Sequence, residues 1–288
     1  MRKSKSKAKV IPLRRKKFQT FSISKTKYRV RRYEQCHDKF LNYCQIEQYL
    51  GKIQKNYPEK VQIQVLGQSA EKRSIFLVII TQGARTESKM GTMIEAGSNG
   101  CEWMTVSTAL YMIDFLVKDE SLVKIMDYFI IPCSNPDAYE SDLTNSGRPL
   151  SMDLSNNCPV SVGFLRNEGD YNTRFFEGDK NMEGKLQGDG TKITYPFGFT
   201  ASDIYDVNDL RKIAKAGLAG IKNRRFGIGS IYDCSGLKFG SMVDYLRSHQ
   251  TAIKFTYIIH VNKKERRLDP HKILCYGEDI KKLCSLYD

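Results

Sequence analysis

Three features of this 288-residue chain could carry chemistry by themselves: its thiols, its imidazoles and its surplus of cations. The eight cysteines are Cys36, Cys44, Cys101, Cys133, Cys158, Cys234, Cys275 and Cys284, and none forms a Cys-x-x-Cys pair. His37, His249, His260 and His271 show no H-x-x-x-H spacing. Zinc-finger chemistry needs such spacing to close a tetrahedral ligand set, so it is unsupported. Scattered cysteines without a secretory start predict reduced thiols in an intracellular protein. An isolated histidine is ordinarily a surface residue or a satisfied core residue.

The cations are unevenly placed. Formal net charge is +14, and residues 1–33 hold 14 Lys and Arg with no Asp or Glu. Residues 34–288 carry 32 charges of each sign, so a neutral body bears a basic tail. The tail is Ser/Lys-rich, lacks an apolar period and is expected to be disordered. Its clusters Arg14-Arg15-Lys16-Lys17 and Arg29-Val30-Arg31-Arg32 leave three readings open. These are a solvated tail, a nuclear-localisation or nucleic-acid-binding arm, and, least supported, a mitochondrial presequence. The longest apolar run is Ile75–Ile80, far short of the roughly 20 residues of a membrane span.

The elements that must position any site follow from apolar periodicity. Helices are predicted over Ile46–Lys55, Thr105–Lys118, Asp209–Arg224 and Glu278–Leu286. Strands are predicted over Val61–Leu66, Ile75–Thr81, Thr92–Ala96, Tyr128–Pro132 and Ala252–Val261. Apolar residues on both faces of several strands, interleaved with helices, imply an α/β fold: a mixed central sheet with helices on both faces. Residues 167–192 depart from this pattern. They hold five glycines and ten charged residues, and a loop of that length inside a compact domain is uncommon, so an element is missing or disordered there.

Four segments say more when taken in order. Gly67-Gln68-Ser69-Ala70-Glu71-Lys72-Arg73-Ser74-Ile75 is a turn entering a strand. Ile94-Glu95-Ala96-Gly97-Ser98-Asn99-Gly100-Cys101-Glu102-Trp103 leads from a strand end into a helix. Pro132-Cys133-Ser134-Asn135-Pro136-Asp137-Ala138-Tyr139 follows another strand, and Tyr195-Pro196-Phe197-Gly198-Phe199-Thr200 precedes a long helix. With Ile231-Tyr232-Asp233-Cys234-Ser235-Gly236 closing the set, the chain from about Phe40 to near its end resembles the zinc carboxypeptidases of the A and B type. The resemblance implies a domain over residues 40–286, apparently truncated in the region 167–192 by about a helix and part of a strand.

The resemblance also implies a degenerate site. The family's first metal motif, His-x-x-Glu, is matched by Asn99 and Glu102, so only the glutamate is retained. The third ligand, a histidine upstream of the Tyr-Pro motif, falls at Gln187. Zinc in such a site polarises a carbonyl and ionises water near neutral pH. Full sites bind with about 10–16 kcal/mol, most of which one carboxylate and a neutral amide forfeit. The catalytic glutamate falls at Ile258, in Phe255-Thr256-Tyr257-Ile258. Without a metal, a buried carboxylate there would cost several kcal/mol in desolvation, which isoleucine avoids.

Residues on the substrate side are partly kept. Arg166 matches the arginine that binds a peptide's terminal carboxylate, Leu165 replaces its asparagine partner, and Tyr232 matches the mobile tyrosine. Arg148 matches an arginine that steadies the oxyanion, and Phe239 falls at the specificity pocket, which it would close. Each has a plain structural alternative: the arginines pair with Glu102 or face solvent, and Tyr232 packs. Cys158 matches one half of a family disulfide whose other half falls in the missing stretch.

The expectation is therefore a carboxypeptidase-fold pseudoenzyme with no cofactor, binding peptide or protein C-termini through Arg166, Tyr232 and Arg148. One alternative is an active zinc peptidase with a rearranged metal site, for instance through Cys101. Another is a nucleic-acid or nuclear-targeted protein acting through residues 1–33. The expected location is intracellular or nuclear, or secreted, as in the family, if the start is misassigned.

Overall fold

A computed structural model describes residues 38–82, 90–100, 103–144, 192–219, 221, 227–238, 240–248, 253, 255–260 and 269–284. Among the site candidates, Glu102, Arg148, Arg166, Gln187 and Phe239 lie outside the described residues, as do the basic tail and all of 167–192 except Lys192.

Helix α1 (Tyr43–Asn56) buries Ile46, Leu50 and Ile53, the stripe that the 3.6-residue period predicts. It opens with a capping box: the Asn42 side chain accepts from the Gln45 N–H, and the Gln45 side chain accepts from the Asn42 N–H. It ends at Tyr57, ahead of Pro58. Strand β1 (Val61–Gln68) pairs antiparallel with β2 (Ser74–Ile80), and the register shifts between Val65 and Gly67. Strand β3 (Met90–Glu95) and helix α2 (Trp103–Lys118) follow. Then come α3 (Glu120–Ile125), β4 (Met126–Ile131) and α4 (Pro136–Thr144).

These strands form a four-stranded mixed sheet in the order β1-β2-β4-β3. β4 is antiparallel to β2 and parallel to β3. Val78, Ile80, Tyr128 and Ile130 are completely buried and join Leu110, Met112, Ile113 and Leu116 of α2 in the main core. Ile79 and Ile131, which alternate with them and point to the opposite face, are buried as well, the two-sided burial that the uninterrupted apolar runs predicted.

The second part begins with β5 (Lys192–Tyr195) and α5 (Val207–Ala219). Strand β6 (Gly227–Ser230), α6 (Ile231–Ser235), α7 (Met242–Ser248), β7 (Ile258–His260) and α8 (Ile273–Cys284) complete it. Its three-stranded sheet is ordered β6-β5-β7, with β5 parallel to β6 and antiparallel to β7. The fold is α/β as expected, with the mixed sheet present as two blocks among the described residues.

Several predicted bounds need correction. Of the seven described residues of the predicted last strand, Ile258–His260 form strand and residues 253 and 255–257 do not. The helix predicted to end at Arg224 is described only to Ala219, and Ile221 is not helical. The terminal helix starts at Ile273, five residues early, because Asp269 caps a 3-10 turn that leads straight into it. Helices α3, α4, α6 and α7 and strands β5 and β6 had no predicted counterpart. Each is nine residues or shorter, too little chain to display a period.

Candidate functional site

In an open α/β sheet, ligands bind beyond the carboxyl ends of parallel strands, where loops leave the sheet in divergent directions. The candidate residues that the structure describes lie at such places.

The first is the end of the β3–β4 pair. Past the last ladder residues, the Ala96 N–H donates to the Ile131 carbonyl at 3.0 Å, Ser134 N–H to Ala96 at 2.9 Å and Asn135 N–H to Gly97 at 3.0 Å. The Ser134 hydroxyl also contacts the Glu95 carboxylate. The Asn135 side-chain amide donates to the Ser98 carbonyl at 3.2 Å and its oxygen accepts from the Ala138 N–H, capping α4. Gly97 has φ of 71°, and a Cβ there would lie 2.7 Å from the Val106 methyl. Only glycine allows the strand end to approach α2 this closely. Asn99 sits in the bend just beyond, partly exposed. Burial pushes the Cys133 thiol up to about 12, so it is an inert core group.

The second place is the end of the β5–β6 pair. Ser230 closes β6 and caps α6, its hydroxyl accepting from the Asp233 N–H at 3.0 Å. Tyr232 lies in the first turn of α6, and its N–H donates to the Phe197 carbonyl at 3.1 Å. Gly236, at φ 73°, ends α6. The Gly198 carbonyl accepts from Lys238 N–H at 2.9 Å, and the Gly198 N–H donates to Asp244 at 2.9 Å. Asp244 is wholly buried in α7, and desolvation pushes its carboxyl up to about 6 despite the backbone N–H groups of Gly198 and Phe199. Ile258 opens β7 opposite Thr194 of β5, and Thr194 in turn bonds His260 at 3.0 Å. Tyr232 and Ile258 are thus both tied to β5 and the turn after it, while Asn99 belongs to the other sheet.

Sequence reasoning missed Asp244 and Gly198. A serine three residues before an aspartate, Ser241 and Asp244, is the pattern of a helix start, and an acid there is ordinarily an exposed partner of the helix dipole. Nothing local says that this one is buried.

Zinc would need lone-pair donors and a nearby base. The position matched to a zinc histidine holds the neutral amide of Asn99, and the position matched to the base holds the alkyl chain of Ile258. These two side chains do not fit a catalytic zinc. Among the described residues, which exclude Glu102, no three His, Cys, Asp or Glu side chains converge as a metal centre requires.

Comparison with known proteins agrees with this architecture. A family model described as "Zinc carboxypeptidase" matches residues 46–169. A zinc carboxypeptidase of Simulium vittatum is 24% identical over 245 residues, covering 70% of this chain and 79% of that protein. Carboxypeptidase B of Helicoverpa zea is 28% identical over 45% of this chain and 31% of its own length. Zinc carboxypeptidase A 1 of Drosophila melanogaster is 25% identical over 68% and 56%. The chain therefore spans less than two thirds of the latter two relatives. Among solved structures, carboxypeptidase A from Helicoverpa armigera superposes with a TM-score of 0.70 at 21% identity, covering 87% of this chain and 73% of that one. Bovine thrombin-activatable fibrinolysis inhibitor, in complex with a tick carboxypeptidase inhibitor, gives 0.68 at 18% identity, covering 86% and 97%.

Proposed function

We propose that this protein, whose residues 46–169 match the zinc carboxypeptidase model and whose described residues have that fold, is a non-catalytic member of that family that binds the C-termini of peptides or proteins. The observation that carries the reading is Ile258. It stands in β7, paired to Thr194, where the resemblance places the proton acceptor, and an alkyl chain moves no proton. Asn99 supports it from the other sheet, because an amide oxygen is a poor zinc ligand.

The binding chemistry is that of carboxylate recognition. Arg166 supplies a planar guanidinium that takes a carboxylate through two parallel N–H donors. The Tyr232 hydroxyl donates a further bond from α6, and Arg148 adds positive charge. The binding domain is residues 40–286, with residues 1–33 a separate basic arm toward acidic surfaces or nucleic acid. No helix among the described residues is long and apolar enough to cross a membrane.

Three measurements on the full chain test this reading. These are metal content of the purified protein, hydrolysis of C-terminal peptide substrates, and affinity for a peptide with a free against an amidated C-terminus. We expect substoichiometric zinc, no turnover, and at least tenfold preference for the free carboxylate. Stoichiometric zinc with turnover overturns the reading and would favour a rearranged metal site. Equal affinity for the two peptides removes the C-terminus as ligand.

A further inference from the structure

Two consecutive residues of one turn, Phe197 and Gly198, hold α6, the connection after it and α7. The Phe197 carbonyl accepts from Tyr232 N–H of α6 at 3.1 Å. The Gly198 carbonyl accepts from Lys238 N–H of the α6–α7 connection at 2.9 Å. The Gly198 N–H, on the opposite edge of the peptide chain, donates to the Asp244 carboxylate of α7 at 2.9 Å. The approach leaves no room for a side chain. A Cβ on Gly198 would lie 2.8 Å from the Ile231 methyl, 3.2 Å from the Lys238 carbonyl and 3.3 Å from Asp244. Ile231 is buried and immediately precedes Tyr232.

We propose that Asp244 is a positioning residue: by clamping the 197–199 turn between α6 and α7, it sets where the Tyr232 hydroxyl can reach a bound carboxylate. The inference rests on the C-terminus-binding reading above. Tyr232 is anchored through its own N–H to the Phe197 carbonyl, which belongs to the same planar peptide group as the Gly198 N–H that Asp244 holds, so moving that peptide moves the first turn of α6. A buried carboxylate with one oxygen on Gly198 and the other, Oδ1, without a hydrogen-bond partner is an expensive way to hold a turn. An apolar residue would serve if packing were its whole task. What the carboxylate adds is directional, charge-assisted bonding to the backbone N–H groups of Gly198 and Phe199.

The test is a double-mutant cycle in the full chain, using a fluorescein-labelled pentapeptide that ends in phenylalanine, with a free or an amidated C-terminus. Asp244→Ala should weaken binding of the free-carboxylate peptide about tenfold in the wild-type background and less than twofold in a Tyr232→Phe background. Asp244→Asn keeps an acceptor for Gly198 and should restore affinity to within about twofold. If Asp244→Ala does not fold, Asp244→Glu takes its place, since one added methylene displaces the carboxylate from the Gly198 N–H. Equal loss in both backgrounds overturns the proposal, because Asp244 then acts independently of Tyr232.

A second readout needs no ligand. Amide hydrogen exchange at Tyr232 and Lys238 should rise at least tenfold in the clamp variant, with α1 and β2 unchanged. If wild-type protein does not distinguish the two peptides, the functional reading fails and exchange alone judges the clamp. Unchanged exchange at Tyr232 then overturns the clamp as well, and raised exchange upholds its hold on α6.

Discussion

Strands β1, β2 and β4 run eight, seven and six residues, and bury Val78, Ile80, Tyr128 and Ile130 under a 16-residue helix. Strands β5, β6 and β7 run four, four and three residues, over a small cluster of Tyr195, Ile204, Val207 and Leu210. Among the described residues, the second region is held by directional polar contacts as well as by this cluster. Arg247 grips both oxygens of Asp206 at 2.7 Å, with both side chains nearly buried. The Arg211 guanidinium donates to the Tyr195 hydroxyl at 2.8 Å, and the Tyr257 hydroxyl donates to the Leu210 carbonyl at 3.0 Å. Asp244 holds Gly198. Apolar burial is non-directional and tolerates small shifts, whereas a buried polar bond fixes one geometry and fails sharply when broken. The region that carries Tyr232 and Ile258 is the one whose geometry depends on such bonds.

The contrast can be broken most forcefully at Arg247. Replacing it with alanine strands the buried Asp206 carboxylate, and should cost about 4 kcal/mol in urea denaturation. Hydrogen exchange should loosen first in β5–β7. A loss below about 1 kcal/mol would place the pair among ordinary surface contacts. In the other region, Ile113→Ala opens a cavity in the main core and should cost about 3 kcal/mol. Here the loss should be spread over the whole first sheet, and a local effect confined to α2 would contradict a cooperative core.

A subtler measurement follows Asp244 with pH. Its folded carboxyl is raised from the usual carboxylate range to about 6, chiefly by desolvation. Between about pH 4 and pH 6 the native state therefore binds more protons than the unfolded chain, and stability falls as pH rises through that window. The Asp244→Asn variant lacks this slope. Its stability relative to wild type should grow by ~2–3 kcal/mol from pH 4 to pH 8, read from urea midpoints. A difference that stays flat across that range would mean that the carboxylate is solvated. The smallest effect belongs to the end of α1, where Asn42→Ala removes the capping box and should cost about 1 kcal/mol in thermal unfolding. No measurable change would mean that packing of Ile46, Leu50 and Ile53 alone holds that end.

The same division governs how much the sequence revealed. Helix α1, strands β1, β2 and β4 and helix α2 were legible because each is long enough to show its period and has a core to face. Helix α4 was not, since it opens with Pro136 and takes its cap from Asn135, features that read equally well as a turn. The strand predicted over Ala252–Val261 shows the opposite error. Its apolar residues Phe255 and Tyr257 pack on the second cluster without entering the ladder, so apolarity was mistaken for strand. For the site, Asn99, Tyr232 and Ile258 were matched by motif order, and the structure puts them in the bend beyond β3, in the first turn of α6 and at the start of β7. Asp244 could not be found, because its partner Gly198 is 46 residues away and no local pattern links them.

Composition and motif order alone determined the neutral body, the basic tail, the α/β class, and an amide and an alkyl side chain at the two positions that the resemblance matches to a ligand and a base. Those are properties of residue type and near-neighbour spacing, which the chain carries before it folds. Tertiary structure alone decided that Asp244 is stripped of water, that Gly198 must lack a side chain, and that Tyr232 hangs from the same turn. Burial and close approach are made by segments distant in sequence, so they exist only once the chain has folded.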